Sequence, residues 1–275
     1  MGGASIKIAL VGLGATGKTV AEYLLGKNVL SMVLCRKSSI HAYSDLGSVI
    51  NRRDTNIIVE PCEHLERRLF ENKPDVLIDF SSSHFLRDNI NMLAHYGVNI
   101  VTAVTDYEPA EIEKIKQVAL QDKIGVIMAP NITYGVNVLM LLTEIATELM
   151  NGYDFHVLEE HHHRKKDSPS GTAKKIATKI EAILAANLND NEVLIHAVRT
   201  GGIVGKHKVL ICGEYDQLEI SHESFSRIAF AEGAYKAALF IYGKKGLYGM
   251  DNVFDAEKII KKHTFTDDDN QFIAN

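Results

Sequence analysis

Three cysteines, Cys35, Cys62 and Cys212, are all that the 275 residues contain. They stand far apart with no CxxC pair, which argues against a disulfide framework or a zinc–thiolate site and fits a reducing cytoplasm. Basic charge is also short: 30 Lys and Arg face 35 Asp and Glu, for a formal net charge of -5 and a pI of about 6.2. That balance leaves no electrostatic footprint for nucleic acid or an anionic membrane, although a local basic site is compatible with it. No apolar run reaches about 18 residues, so no membrane span is expected. The opening MGGASIKIALVG lacks a signal-peptide h-region with a cleavage site. It starts like a myristoylation motif, but Ile6 stands where Ser or Thr is needed. Internal repeats and low-complexity linkers are absent. The remainder, 46% hydrophobic and 24% charged, is the composition of a soluble globular chain long enough for one large domain or two modest ones.

Apolar runs at 6–11 (IKIALV), 29–35 (VLSMVLC), 56–60, 76–80 (VLIDF), 99–103 and 124–129 read as strands. Several are apolar almost throughout, as parallel strands covered on both faces are. Helical stretches at 16–25, 63–71, 85–96 and 109–120 lie between them. The alternation predicts an α/β fold, a Rossmann-type doubly wound parallel sheet. The texture changes after Pro130. A helix at 136–150, a strand at 155–159 and a helix at 172–186 lead to strands at 193–199, 208–212 and 217–221 without helices between them. That pattern predicts a mixed or antiparallel sheet in a second α+β domain. A long helix follows at 226–242, and the tail from Lys244 is expected to return to the first domain.

Gly12-Leu13-Gly14-Ala15-Thr16-Gly17 is G-x-G-x-x-G, placed directly after the first strand and opening a helix. Glycines permit the tight turn and close approach of backbone to a pyrophosphate, and the helix start offers free N–H groups to it. The alternative is a turn needed only for packing. With Lys18 and Thr19 the same residues also satisfy GxxxxGK[ST], so an NTPase using Asp79 for magnesium is a second reading. An acid near the end of the second strand, the usual holder of the ribose hydroxyls in NAD enzymes, is missing between Ser31 and Ile40. Arg36, Lys37, Ser38 and Ser39 stand there instead. Two cations and two hydroxyls suit a 2′-phosphate, hence NADPH, with NADH possible. A solvated basic loop is the plain alternative.

The segment 159–172 (EEHHHRKKDSPSGT) concentrates the chemistry. On an extended strand His161 and His163 share a face and His162 points away, unless the segment turns into a loop. Ser170 or Thr172 can cap the helix that follows, and the N–H groups of its first turn make a carboxylate nest. Arg164 and Lys165 add charge-assisted hydrogen bonds. A histidine beside such an anion site can deliver a proton near neutral pH. The segment therefore reads as the active site of a nicotinamide-dependent reductase acting on a small dicarboxylate. The plainer readings are a surface run of histidines and a metal site with Glu159 or Glu160 as further ligand; adjacent histidines rarely converge on one metal, and three neighbouring cations oppose one, so no metal is expected.

Glu159, His161-His162-x-x-Lys165 and Asp167-x-Pro169-Ser170-Gly171-Thr172-Ala173 together resemble the signature of the 4-hydroxy-tetrahydrodipicolinate reductase (dihydrodipicolinate reductase) family. The resemblance covers nearly the whole chain. Val76 to Ser81 resembles the family's fourth-strand motif, and Ala129 to Asn137 its interdomain segment. Val198-Arg199-x-Gly201 and Ile203-Val204-Gly205-x-His207 resemble its substrate-domain strands. Ser226-Arg227 and Phe230-Ala231-x-Gly233-Ala234 resemble its returning helix.

The resemblance implies NAD(P)H-dependent reduction of a cyclic imine dicarboxylate to tetrahydrodipicolinate, towards diaminopimelate and lysine. It implies His161 as proton donor and acceptor and Lys165 as a second donor. Substrate is then held by His162, Ser170, Gly171 and Thr172. Cofactor contacts fall on Gly12, Leu13, Gly14, Ala15, Thr16 and Gly17, on Arg36 with Lys37, on Ala103, Val104 and Thr105, and on Ala129, Pro130, Asn131 and Ile132. The implied division is 1–131 plus about 240–275 for the dinucleotide and 132–239 for substrate and tetramer contacts, in a cytoplasmic homotetramer. Two departures stand out. Ala103-Val104-Thr105-Asp106 replaces the frequent GTTG, and Ala15-Thr16 replaces a frequent Arg-Met. Another two-domain reductase of the aspartate or homoserine type would lack the joint HHxxK and PSGT segment, and a nucleotide sensor would bind NADPH without oxidising it.

Overall fold

The structure is a computed structural model, and it describes residues 6–121, 124–187, 192–255 and 258. The chain opens with β1 (Ile8–Val11), α1 (Ala15–Gly26), β2 (Leu30–Cys35), α2 (Leu46–Val49), β3 (Val59–Pro61), α3 (Leu65–Asn72), β4 (Val76–Asp79), α4 (Ser83–His95), β5 (Asn99–Thr102), α5 (Pro109–Gln121) and β6 (Gly125–Met128). Every residue of β1, β4 and β5 is buried, because helices cover both faces of the sheet they form. That is why these runs are apolar rather than alternating.

The second half brings α6 (Tyr134–Leu149), β7 (Asp154–His161), α7 (Gly171–Ala186), β8 (Leu194–Arg199), β9 (Gly205–Cys212) and β10 (Gln217–Ser224). Then α8 (Ile228–Ile241), β11 (Gly246–Tyr248) and α9 (Met250–Val253) close the described chain. The first sheet has the order β11-β6-β5-β4-β1-β2-β3, with all its pairings parallel. The strand order reverses between β1 and β4, which opens a crevice at their carboxyl ends.

The second sheet, β10-β9-β7-β8, is mixed: β8 runs parallel to β7, while β9 runs antiparallel to both β7 and β10. Burial alternates along β7 and β9, so one face is covered and one is not. Val136, Leu139 and Met140 of α6 and Ile176 and Ile180 of α7 pack on the covered face against Phe155, Val157, Val209 and Ile211.

Several boundaries differ from the sequence reading for local reasons. β3 starts at Val59 rather than 56 because Asn56 turns to φ +59°. The unforeseen α2 is capped by Asp45, whose carboxylate accepts from Gly47 N at 2.7 Å. Residues 62–64 form a 3₁₀ turn before α3. β7 runs on to His161, and β9 begins at Gly205. The returning tail is seen as β11 on the outer edge of β6, and the remainder of 240–275 beyond 255, residue 258 apart, lies outside the described residues. α8 begins inside the 132–239 stretch and crosses its end, yet Ala231, Ala234, Ala237 and Ala238 sit in the core of the first sheet beside Ile8, Leu10 and Ile78.

Candidate active site

Two glycines of the first turn are fixed by space. Gly12 has φ +95°, and a Cβ on it would lie 2.5 Å from Phe80 O. A Cβ on Gly17 would lie 2.1 Å from Gly12 O. The turn can therefore fold down on the end of β4 only without side chains there. Gly14 caps α1 with no side-chain hydrogen bond, so the first N–H groups of that helix keep their donors for a ligand. Beside it opens a cavity of about 1050 Å³, bounded by Gly12, Leu13 and Gly14 and by the end of β2, from Cys35 through Arg36 and Lys37 to Ser39. A Cβ-free cradle, open helix N–H groups and two cations suit a dinucleotide phosphate set.

Asp79, the acid an NTPase would need, is wholly buried. Its Oδ1 accepts from Ser81 N at 2.8 Å and Ser81 Oγ at 2.6 Å. Burial pushes its carboxyl up to about 6. It shapes the turn under Gly12 and does not face the cavity.

The other expected cofactor contacts are spread out. Ala15 and Gly17 lie inside α1, while Thr16 faces a second cavity. Ala103 is held by its N–H on Asp79 O at 2.9 Å, Val104 is buried and Thr105 is exposed. Ala129 is buried at the end of β6, and Pro130, Asn131 and Ile132 line the second cavity.

That second cavity, about 410 Å³, holds His161, His162, Lys165, Lys166, Asp167 and Thr172 together with His207, His222 and Arg227. The chain turns at the end of β7, so His161 and His162 reach one space despite the strand alternation. His163 does not. Its Nδ1 lies 3.0 Å from Gly201 O, which pins the turn after β8.

Behind the cavity, Glu159 is wholly buried. Its carboxylate accepts from Arg199 Nη1 at 2.9 Å and Nη2 at 2.6 Å, and from Ser170 N at 3.0 Å. Its Oε2 lies 2.5 Å from His161 Nδ1. Arg199 Nη2 also donates to Asp167 O at 2.7 Å, tying β8 to the loop. Ser170 points inward. Its Oγ caps α7 at Ala173 N and lies 3.2 Å from His207 Nε2, so it does not face the cavity. Gly171 is exposed at the first turn of α7, and Thr172 Oγ1 donates to Asn131 Oδ1 at 2.6 Å. Lys165 reaches Asp167 at 2.8 Å.

Burial favours a neutral Glu159, but Arg199, His161 and the Ser170 N–H outweigh it and hold the carboxyl below its ordinary value. Burial pulls His161 down; Glu159 pulls it up, and Lys165 and Arg199 add to the lowering. His207 is pushed down to about 3 by burial and then by His161, whose ring meets it edge-on at 5.2 Å. His162 Nδ1 and His222 Nδ1 are buried without a hydrogen-bond partner, which a ligand in the cavity can supply.

The profile described as dihydrodipicolinate reductase, N-terminus, matches residues 6–132, and that described as dihydrodipicolinate reductase, C-terminus, matches 135–254. The chain belongs to the dihydrodipicolinate reductase family. It is 30% identical over 266 residues to the 4-hydroxy-tetrahydrodipicolinate reductase of Methanocaldococcus jannaschii, covering 91% of this chain and 96% of that one. With the enzyme of the same name from Methanosarcina acetivorans it shares 32% over 260 residues, 88% of this chain and 97% of the other. In fold it resembles the dipicolinate-bound dihydrodipicolinate reductase from Paenisporosarcina sp. TG-14, with a TM-score of 0.75, 24% identity, and coverage of 90% and 99%.

Within this family frame, three residues in or behind the pocket had no role in the sequence reading. Arg199 and His207 were noted only as members of strand motifs, and His222 was not noted at all. His222 comes close because Gly135, at the start of α6, leaves room: a Cβ there would lie 2.6 Å from its ring.

Proposed function

We propose that this chain is an NAD(P)H-dependent oxidoreductase that reduces 4-hydroxy-tetrahydrodipicolinate to tetrahydrodipicolinate in lysine and diaminopimelate biosynthesis. The observation that carries the reading is the buried Glu159–His161 pair at the wall of a cavity lined with Lys165, Lys166 and Arg227. A dicarboxylate needs cations and free N–H groups, and an imine under reduction needs a positioned acid; this cavity brings both together. A bound nicotinamide supplies the hydride. His161 then delivers the proton from Nε2, the nitrogen left free by Glu159. Lys165 and the Gly171–Thr172 helix start hold the carboxylates and orient the ring, and His162 completes the binding set.

Arg36 and Lys37 favour NADPH over NADH as the reductant, since both line the cavity where a 2′-phosphate would lie and no acid ends β2. In our reading 1–131 with the tail from about 240 binds the dinucleotide, and 132–239 binds substrate and assembles a homotetramer. The uncovered face and edges of the second sheet, with Leu194 46% exposed, Val198 47% and Leu218 40%, support that assembly. Unpaired, scattered cysteines fit a cytoplasmic site of action. Among the described residues no helix is long and apolar enough to cross a membrane.

The test is turnover of enzymatically generated 4-hydroxy-tetrahydrodipicolinate with NADPH, followed as loss of reduced-nicotinamide absorbance. The wild type should turn over, and His161→Gln should lose about 10²–10⁴-fold in kcat with dipicolinate affinity little changed. No turnover by pure wild-type protein, or full activity in the variant, would sink the assignment.

A further inference from the structure

We propose that Arg199 is a positioning residue that acts through Glu159 to present His161 as a neutral base at rest, and that the arriving dicarboxylate itself causes His161 to take up the proton it later delivers. This deepens the proposed function and rests on that reading.

The argument begins with hydrogen-bond bookkeeping at Glu159. Its two oxygens accept from both terminal nitrogens of Arg199 and from Ser170 N, as an ionised carboxylate does. The same oxygens have no proton to give, so His161 Nδ1, 2.5 Å away, must be the donor. This fixes the tautomer. Nε2 is then the nitrogen at work, and it points past Gly205, where a Cβ would already lie 3.1 Å from it.

A carboxylate beside a histidine normally favours the imidazolium. Here the carboxylate is shared. Arg199 cancels its charge at 2.6 Å, leaving a nearly neutral pair behind the ring. The other groups around His161 oppose a second positive charge. Lys165 from the loop repels it, and so does Arg199 from β8. His207 of β9 stands edge-on to the ring and is itself held neutral, and His222 of β10 shares the cavity wall. Lys165, Lys166 and Arg227 against Asp167 give the cavity an excess of two positive charges. At rest the imidazole is therefore held neutral, with an Nε2 lone pair and no proton to donate.

A substrate with two carboxylates brings two negative charges. They cancel the cationic excess, and the cost of charging Nε2 falls. A proton from solvent binds there and forms an imidazolium backed by Glu159. When hydride from the reduced nicotinamide enters the imine ring, the displaced electron pair is protonated from Nε2. The Nε2–H bond breaks, the new bond forms on the substrate, and His161 returns to its neutral tautomer. The hydroxyl of the substrate has by then left as water with a proton from the neighbouring ring carbon, whose C–H electrons form the double bond that the hydride reduces. One hydride and one proton are consumed, and that proton is the one taken up at binding.

Calorimetric titration with dipicolinate, in buffers of differing ionisation enthalpy at about pH 7.5, reads the uptake directly. The expected value for the wild type is about one proton per bound dipicolinate, falling to near zero in His161→Gln while binding persists. In Arg199→Met the buried carboxylate loses its cation, so a share of His161 is charged before the ligand arrives. Uptake should shrink, and the free-enzyme limb of kcat/KM against pH should move up by about one unit, with Arg199→Lys restoring wild-type behaviour. Dipicolinate that binds with uptake below about 0.2 proton overturns the inference even if turnover is normal. Unchanged uptake in Arg199→Met overturns the role of Arg199. A wild type that neither binds dipicolinate nor turns over takes down the proposed function as well, so the two failures are distinct. The wild-type and His161→Gln measurements decide the matter even if Arg199→Met does not fold.

Discussion

At the glycine turn, the groups that meet a ligand are largely backbone. Gly14 and the start of α1 offer N–H donors, and side-chain charge enters only from the end of β2. At the histidine cavity the reverse holds. Side chains from β7, β9, β10 and two loops converge there, and Arg199 of β8 braces them from behind. A backbone cradle is insensitive to most substitutions but intolerant of a Cβ at Gly12 or Gly17, where backbone closes on the glycine. A side-chain cluster tolerates changes of shape, but not the loss of a charge whose partner is buried.

Three substitutions test that contrast. The largest effect is expected from Gly12→Ala, which forces a Cβ to 2.5 Å from Phe80 O at φ +95°. Strain of about 1–3 kcal/mol should weaken NADPH binding by about 10–100-fold, measured by fluorescence titration, and leave dipicolinate binding unaltered. Equal damage to both ligands would show that the two ends are not built separately.

Arg36→Ala comes next. It removes one charged contact from the cradle, so NADPH should weaken by about tenfold and NADH hardly at all. If both cofactors weaken together, Arg36 is a general support of the loop rather than the reader of a 2′-phosphate.

The third effect, the smallest at neutral pH, is thermodynamic and lies at the other end. His207 sits at about 3 in the folded chain against an ordinary 6.5. Above about 6.5 neither state binds the proton and nothing is lost. Below that value the unfolded chain takes up a proton that the folded one refuses, so stability declines as pH falls towards 3. The slope is at most about 1.4 kcal/mol per pH unit. Urea melts of wild type and His207→Gln between pH 7 and 4 should diverge by that slope, with the variant less acid-sensitive; parallel curves would remove His207 from the acid response.

How far each end was legible follows from how it is built. The glycine turn is contiguous, so spacing, a preceding apolar run and a following helix located it in full. His161, Lys165 and Thr172 share one segment and were legible for the same reason. Arg199 and His207 are brought in by β8 and β9, across 38 and 46 residues from His161, and no local pattern marks a partner chosen by sheet register. The register sets His161 beside Arg199 and Glu159 beside His207. His222 had still less signal, since it depends on a gap left by Gly135 in another element. His163 read as one of three equal histidines, and only the turn at Gly201 shows that its ring serves the backbone. Sequence also foresaw a mixed or antiparallel second sheet but not its parallel β7–β8 pair, because a strand's partner and direction lie in the topology rather than in its residues.

The late return of the chain to its first sheet also bears on how the protein is made. Asn99 of β5 donates to Ile241 O at 2.6 Å and accepts from Gly125 N at 2.8 Å, while β11 pairs with β6 more than a hundred residues upstream. A ribosome that has delivered β1 to β6 has therefore delivered an unfinished sheet, with β6 still an open edge and the alanine face of α8 missing from its core. The intervening sheet can form first, from contacts between near neighbours. The older, N-terminal layer is sealed last, when α8 and β11 emerge, so a chain truncated before α8 should expose apolar surface where the full-length one does not.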